Sequence, residues 1–204
     1  MQVLKDLEQR SQEWLDFRKG KISGTMLGDL YSKTGGRKIG FYEVIAGRLS
    51  LDPDDENRMD RGLRLEEEAI EEFTKQTGKI VDRVGVCISD VNPNIINSPD
   101  GLIKIGRTYK EAVEIKCLSP ARHLQAVIEN KVPAEFYSQM LQYFIVNEKL
   151  ETLYFIFYDP RILAIPFHII EVHRKDLGDK PEQFLQFQIE QLNEMDVIVE
   201  RLAF

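Results

Sequence analysis

The chain has 204 residues, 43% of them hydrophobic, which is enough for one domain to bury an apolar core without disulfide or metal staples. Its two cysteines, Cys87 and Cys117, form no Cys-x-x-Cys motif, and no apolar stretch reaches the roughly 20 residues that a membrane-spanning helix needs. These features argue against a disulfide-rich secreted domain, a structural zinc site and a membrane protein. We therefore expect one soluble domain over residues 1–204 in the reducing cytoplasm.

Charge is unevenly distributed along the chain. The formal net charge is −7, and an excess of acid is unfavourable for nucleic-acid binding because affinity for phosphates comes from Lys and Arg. Basic residues nevertheless gather in 10–21 and 33–38, whereas acidic residues crowd 52–60 and 66–72. This asymmetry permits a positive DNA-facing surface on an acidic body.

The first part of the chain has helical spacing. We predict short helices over 13–18 and 25–31, followed by a glycine-rich loop over 34–38. Apolar residues at helical spacing then predict a long helix over 58–77, which Gly78 ends.

The rest of the chain alternates between strand and helix periods. The predicted elements are three antiparallel strands over 80–89, 95–105 and 111–118, helices over 120–130 and 134–146, strands over 152–158 and 165–173, and a final helix over 181–201. Strands flanked by helices on both sides indicate an α/β fold with one central mixed β-sheet.

Reactive side chains are concentrated on one predicted strand and on the turn before its neighbour. Strand alternation sends Glu114 and Lys116 to one face and the apolar residues between and beside them to the other. Asp100 occupies a tight turn from which it can meet Glu114 across a hairpin. These two carboxylates and the carbonyl oxygen of Ile115 are suitable ligands for Mg²⁺, for which Mn²⁺ can substitute.

These residues fit phosphodiester hydrolysis, which needs an activated water and stabilisation of charge on the phosphoryl oxygens. Lys116 could orient or deprotonate the attacking water, or it could donate to the scissile phosphate. Glu66, on the long helix, could reach the metal or its water from the side. The sequence has no His-Glu-x-x-His, Gly-x-Ser-x-Gly or Gly-x-x-x-x-Gly-Lys motif, so it does not support a zinc hydrolase, a serine hydrolase or an ATPase.

A series of motifs covers roughly residues 10–173. In chain order they are Trp14-x-x-x-Arg18-x-Gly20-x-Ile22, Arg61-Gly62 with Glu66, Ser98-Pro99-Asp100-Gly101-Leu102, Glu114-x-Lys116-Cys117, Gln139, and Tyr158-Asp159-Pro160-Arg161. In order and approximate spacing they resemble the lambda exonuclease family, the viral recombinase-type alkaline exonucleases of the PD-(D/E)xK nuclease superfamily. The resemblance implies a restriction-endonuclease-like core with a central mixed β-sheet flanked by helices.

The resemblance also implies roles for individual residues. Asp100, Glu114 and the Ile115 carbonyl would bind the metal, and Lys116 would be catalytic. Glu66 and Gln139 would be supporting residues that position the water and the lysine. Gln142 is the alternative to Gln139, because the glutamines of the family helix are spaced differently.

Contacts with DNA are implied in the same way. The positions that match the 5′-phosphate pocket of the family are Arg18, Thr25 and Ser98. Met59 falls where the family places an apolar wedge against the terminal base pair, and Arg37 and Lys38 could follow the duplex backbone.

The activity implied by the resemblance is magnesium-dependent 5′-to-3′ digestion of linear double-stranded DNA. It would release 5′-phosphomononucleotides and leave 3′ overhangs for phage-type recombination by a single-strand annealing protein. A ring-shaped homotrimer, encoded by a phage or prophage and acting in the bacterial cytoplasm, would thread the DNA. The alternatives are a DNA endonuclease of the same superfamily and a non-catalytic protein that binds DNA ends.

Overall fold

The computed structural model of the chain describes residues 12, 13, 16, 27–30, 32, 36–49 and 58–202. The helices are α1 (Leu27–Leu30), α2 (Ile39–Arg48), α3 (Arg58–Thr77), α4 (Pro120–Glu129), α5 (Tyr137–Val146) and α6 (Lys180–Leu202). The strands are β1 (Cys87–Ile88), β2 (Ile96–Asn97), β3 (Gly101–Ile105), β4 (Thr108–Lys116), β5 (Thr152–Tyr158) and β6 (Phe167–His173). Within this part of the chain, no helix combines the length and the apolar character needed to cross a membrane.

The described N-terminal residues test only some of the predicted elements. α1 lies inside the predicted helix over 25–31, whereas most of the predicted helix over 13–18 falls outside the described residues. The sequence does not predict α2. Its buried Tyr42 and Ala46 pack in a small apolar cluster with Leu124 of α4, so contacts distant in sequence stabilise this helix.

α3 has the bounds that its helical spacing predicts. Leu65, Ala69 and Phe73 are buried, and their spacing of four residues places them on one face of the helix. Gly78 follows with φ of +70°, the left-handed conformation that glycine adopts at low cost and that commonly ends a helix.

The central sheet has the strand order β3-β4-β5-β6. β3 pairs antiparallel with β4, β4 pairs parallel with β5, and β5 pairs antiparallel with β6. The parallel pair requires a crossover, which α4 and α5 provide. Apolar clusters join one face of the sheet to α3 and the other to α5 and α6. The predicted α/β fold with a central mixed sheet flanked by helices is confirmed.

The three antiparallel strands predicted between residues 80 and 118 do not form one continuous ladder. β1 and β2 make a separate two-stranded sheet, and the first predicted strand reaches the central sheet only through an isolated bridge from Asp82 to Leu102. The second is broken between β2 and β3, because Pro99 has no N–H to donate to a ladder. This interruption forms the turn that carries Asp100.

Gly101 lets the segment before β1 approach this turn closely. A Cβ atom at position 101 would lie 2.1 Å from Cγ1 of Val81, far closer than two such atoms can come. Only glycine therefore fits here. The close approach places Arg83, two residues after Val81, beside the Asp100 carbonyl oxygen, to which its guanidinium donates at 3.0 Å.

Candidate active site

The candidate active site lies where β4 meets the turn before β3. The β3–β4 register places Gly101 opposite Val113, so Asp100 comes beside Glu114, and the charge of Glu114 acts on the Asp100 carboxyl. Oδ2 of Asp100 accepts a hydrogen bond of 2.6 Å from the backbone N–H of Ile115. The structure therefore brings together the two carboxylates, as the hairpin prediction requires.

Strand alternation along β4 separates packing from polar contacts. Val113 and Ile115 join an apolar cluster with Phe73 of α3. Glu114 and Lys116 point to the opposite face, where Glu114 contacts α5 and its side chain is only 2% exposed. The predicted division of the strand into an apolar and a charged face is confirmed.

The buried Glu114 carboxylate has hydrogen-bond donors on both oxygens. Oε1 accepts from Nζ of Lys116 at 2.5 Å and from Nε2 of Gln139 at 2.6 Å, and Oε2 accepts from the hydroxyl of Tyr143. The Lys116 ammonium also lies 4.9 Å from the ring centroid of Phe136. A carboxylate taken out of water needs such compensation, and here one cation and two neutral donors supply it.

Asp100 lies in a crowded acidic environment. Burial, the charge of Glu114 and a hydrogen bond with Glu66 raise the pKa of Asp100 to about 8, although the N–H of Ile115 acts in the opposite direction. The backbone N–H of Asp100 donates to the Tyr143 hydroxyl at 3.3 Å. The turn is thus held against both β4 and α5.

Glu66 reaches this turn from α3, the side that the sequence predicts. Besides its hydrogen bond with Asp100, its Oε2 lies 3.6 Å from Nη2 of Arg83. Arg83 therefore connects Glu66 to the main chain of the Asp100 turn.

The structure separates the two candidate glutamines of α5. Gln139 donates to Glu114, whereas Gln142 donates to the carbonyl oxygen of Ile96 at 2.9 Å and accepts from Gln188 at 2.8 Å. Gln142 therefore connects β2 and α6, and Gln139 is the glutamine in the candidate site.

The structure describes only some of the residues that are predicted to contact DNA. Arg18 and Thr25, two of the three members of the predicted phosphate pocket, lie outside the described residues. Ser98 is exposed on the turn between β2 and β3, two residues before Asp100. Met59 belongs to the first turn of α3, and the structure describes its backbone only.

Arg37 and Lys38 are exposed at the start of α2. The Arg37 guanidinium lies 4.8 Å from the ring centroid of Phe41, and the backbone N–H of Lys38 donates to the carbonyl oxygen of Leu30 at 2.9 Å. These contacts belong to the junction of α1 and α2, and the predicted contact of both residues with the duplex stays a prediction.

Two residues of the site are missed by the sequence reasoning. Tyr143 could have been found from helical spacing, because it lies four residues after Gln139 and therefore on the same face of α5. Arg83 lies in an irregular segment without a motif, and only the close approach at Gly101 brings it to the site.

The chemistry of the donor set fits a divalent cation. Asp100 and Glu114 are acidic side chains crowded together, and the raised pKa of Asp100 shows that its negative charge is unfavourable there. Within the described residues, no three or more Asp, Glu, His or Cys side chains are grouped as a metal cage. Two carboxylates, the Ile115 carbonyl and water would therefore be the ligands, a mixture typical of Mg²⁺.

Comparison with known proteins identifies relatives of the chain. Residues 13–150 match the family described as the YqaJ-like viral recombinase domain. The fold is similar to the crystal structure of an alkaline exonuclease, LHK-Exo, from Laribacter hongkongensis, with 26% sequence identity, coverage of 95% of this chain and 98% of that chain, and a TM-score of 0.61. The structure of LHK-Exo in complex with dAMP matches with 25% identity, the same coverage and a TM-score of 0.61. No curated protein sequence matches the chain.

Proposed function

Because the chain belongs to the family of YqaJ-like viral recombinase domains, we propose that it is a magnesium-dependent exonuclease that digests linear double-stranded DNA from the 5′ end. The observation that carries the proposal is the buried Glu114 carboxylate, which contacts Lys116 and Gln139 and lies beside Asp100. A structural ion pair on a strand face would not need a second crowded carboxylate.

In the proposed mechanism, Asp100, Glu114 and the Ile115 carbonyl hold the Mg²⁺, and Mn²⁺ can substitute. When bound, the ion stabilises negative charge on the phosphoryl oxygens and activates water. Glu114 fixes the ammonium group of Lys116 at 2.5 Å, so that its other N–H groups are available to a phosphoryl oxygen or to the attacking water. Gln139 donates to the Glu114 carboxylate that holds Lys116, and Glu66 positions the attacking water from the side of α3.

The proposed polarity depends on Arg18, Thr25 and Ser98 as a pocket for the terminal 5′-phosphate. Ser98 is two residues from Asp100, so a phosphate held there would place the first phosphodiester of that strand near the site. The expected products are 5′-phosphomononucleotides and a 3′ overhang. The complex of the related exonuclease with dAMP, a deoxynucleoside monophosphate, supports this class of product.

The proposed biological setting is phage-type recombination in the cytoplasm of a bacterial host, from a phage or prophage gene. A single-strand annealing protein would take up the 3′ overhang. We expect a ring-shaped homotrimer, because a ring around DNA would keep a chain of net charge −7 on its substrate without a strong electrostatic attraction. Sedimentation should show a trimer, and a monomer that still digests long duplexes without dissociating would rule out the ring.

The deciding experiment compares three DNAs in Mg²⁺: a linear duplex with 5′-phosphates, the same duplex with 5′-hydroxyls, and a closed circle. The wild type should digest the phosphorylated duplex fastest and leave the circle intact. Lys116→Ala should reduce the rate by about a hundredfold or more, the usual size of a lost acid–base or charge-stabilising group.

Lys110→Ala is the matched control, because Lys110 lies on the same strand in a surface ion pair with Glu151. It should digest DNA at the wild-type rate. Nicking of the closed circle would instead indicate an endonuclease. Binding of DNA ends with no digestion in Mg²⁺ or Mn²⁺ would indicate a non-catalytic end-binding protein.

A further inference from the structure

We propose that Tyr143 is a positioning residue that joins the Asp100 turn to the Glu114 carboxylate and thereby sets the affinity of the site for its divalent cation. The inference rests on the proposed function, since it assigns a role within the same metal site. Tyr143 belongs to none of the motifs by which the sequence predicts that site.

The Tyr143 hydroxyl contacts both halves of the site. The residue is 2% exposed, and its hydroxyl donates to Oε2 of Glu114 while accepting from the backbone N–H of Asp100 at 3.3 Å. The carbonyl oxygen of Val113 lies 3.2 Å away as a second possible acceptor. A hydroxyl has one proton to donate, and the charged, closer carboxylate is the stronger acceptor.

These contacts restrict a carboxylate that would otherwise turn freely. The last torsion angle of a glutamate has a broad energy minimum, so burial alone does not fix the plane of its oxygens. Lys116 and Gln139 donate to Oε1 of Glu114, and among the described residues Tyr143 is the donor to Oε2. Without the Tyr143 hydroxyl, Oε2 of Glu114 would lose this hydrogen bond.

The hydroxyl oxygen of Tyr143 also holds the backbone of Asp100, the second proposed metal ligand. Asp100 lies in the turn before β3, outside the regular pairing of the hairpin. Its N–H donates to Tyr143, and its carbonyl oxygen accepts from Arg83. Through its hydroxyl oxygen, Tyr143 thus connects one proposed metal ligand in strand β4 with another in the turn before β3, and a cation that needs both should bind more weakly without it.

The test is Tyr143→Phe, which keeps the buried ring and removes only the hydroxyl. Mn²⁺ binding to the DNA-free protein is measured by titration calorimetry or electron paramagnetic resonance. We expect the dissociation constant to rise about tenfold, as for the loss of one hydrogen bond to a charged group. The Mg²⁺ concentration for half-maximal digestion should rise by a similar factor, and saturating Mg²⁺ should restore most of the rate.

Tyr137→Phe is the matched control, because Tyr137 is an exposed residue at the start of the same helix. It should leave Mn²⁺ affinity unchanged. Thermal unfolding in EDTA separates an effect on metal binding from an effect on packing. A lower melting temperature of Tyr143→Phe with wild-type Mn²⁺ affinity would overturn the inference. An unchanged melting temperature together with an unchanged Mn²⁺ affinity would also overturn it. If the wild type binds no Mn²⁺ and digests no DNA, the proposed function fails together with the role of Tyr143. If the wild type digests DNA and Tyr143→Phe has the same Mn²⁺ affinity and the same rate, only the role of Tyr143 is refuted.

Discussion

Both faces of the central sheet pack against apolar clusters, but around residues 113–116 of β4 the two faces differ in character. On the α3 face, the register aligns Ile115, Ile156 and Ile169 across β4, β5 and β6, and all three lie in or against one apolar cluster. On the α5 face, the neighbouring row is Lys116, Phe157 and His168.

A shift of one residue along β4 therefore separates core packing from charged groups. The apolar face needs only volume and shape, so many apolar side chains can satisfy it. On the α5 face, the charged pair Glu114 and Lys116 needs a specific partner for each buried polar atom, because an unpaired buried charge is strongly unfavourable. The comparison predicts that substitutions on the two faces affect different measurable quantities.

The largest expected effect on stability comes from Phe73→Ala on the α3 face. Phe73 is fully buried against Tyr154 and the apolar side of β4, and truncation of such a residue costs about 3 to 5 kcal/mol. Urea unfolding should show this loss, while the digestion rate per folded molecule stays near that of the wild type. A rate that falls in proportion to stability would mean that the faces are not independent.

Glu114→Gln should have the opposite signature. The substitution keeps the size of the side chain and a carbonyl acceptor but removes the charge that holds Lys116 and the cation. We expect digestion to slow by about a hundredfold to a thousandfold. The lost ion pair with Lys116 is offset by the end of the repulsion between Glu114 and Asp100, so the free energy of unfolding should change less than the roughly 3 to 5 kcal/mol of a broken buried ion pair. Initial rates at saturating Mg²⁺ and urea unfolding check both quantities. Retention of wild-type activity would refute the assigned site.

Gln139 and Gln142 allow a residue of the candidate site to be compared with a structural residue within one helix, α5. Gln139→Leu should slow digestion about tenfold, because it removes one donor from the Glu114 carboxylate. Gln142→Leu removes the contacts with Ile96 and Gln188 instead, and it should lower stability slightly without changing the rate. A larger loss of activity in Gln142→Leu would reverse the assignment.

The smallest expected effect concerns pH and His168, on the α5 face. Burial lowers the pKa of His123 and of His168 below the ordinary 6.5. As the pH falls below that value, the unfolded chain gains protons before the folded protein does, so stability present above pH 6.5 is lost towards lower pH. Each histidine can contribute a slope of up to about 1.4 kcal/mol per pH unit.

His168→Phe tests this pH dependence. Among residues 58–202, none donates to or accepts from the buried Nε2 atom of His168, so the substitution breaks no hydrogen bond of that atom within this range. Urea unfolding between pH 7.5 and 5.5 should show a smaller loss of stability in the variant. An unchanged pH dependence would remove His168 from the explanation.

Local patterns predict those parts of the molecule that are determined locally. The spacing of Leu65, Ala69 and Phe73 sets the face of α3, and the β-branched and aromatic residues of 152–158 give β5 the bounds that the sequence predicts. The charged face of β4 follows from alternation alone. In these elements, the local preference of the residues for helix or strand agrees with the face that the folded protein buries.

Other features depend on contacts between distant segments and were missed or predicted in part. α2 is held by its packing on α4, and Pro99 divides a stretch whose apolar pattern reads as a single strand. Arg83 reaches the site only because Gly101 admits Val81. A local sequence pattern does not show which distant segments come into contact, so the sequence could not place Arg83 in the candidate site.

The hydrogen bond from the Ile115 amide to the Asp100 carboxyl also provides a spectroscopic probe. With a pKa of about 8, this carboxyl is mostly neutral at pH 7 until a bound cation stabilises its charged form. A hydrogen bond to the charged form is stronger, so the resonance and the solvent exchange of the Ile115 amide proton should change when Asp100 ionises. Since Ile115 lies between Glu114 and Lys116 in the chain, its backbone resonance should respond to any ligand that engages Asp100. A single labelled amide could thus follow the loading of the whole site without DNA cleavage.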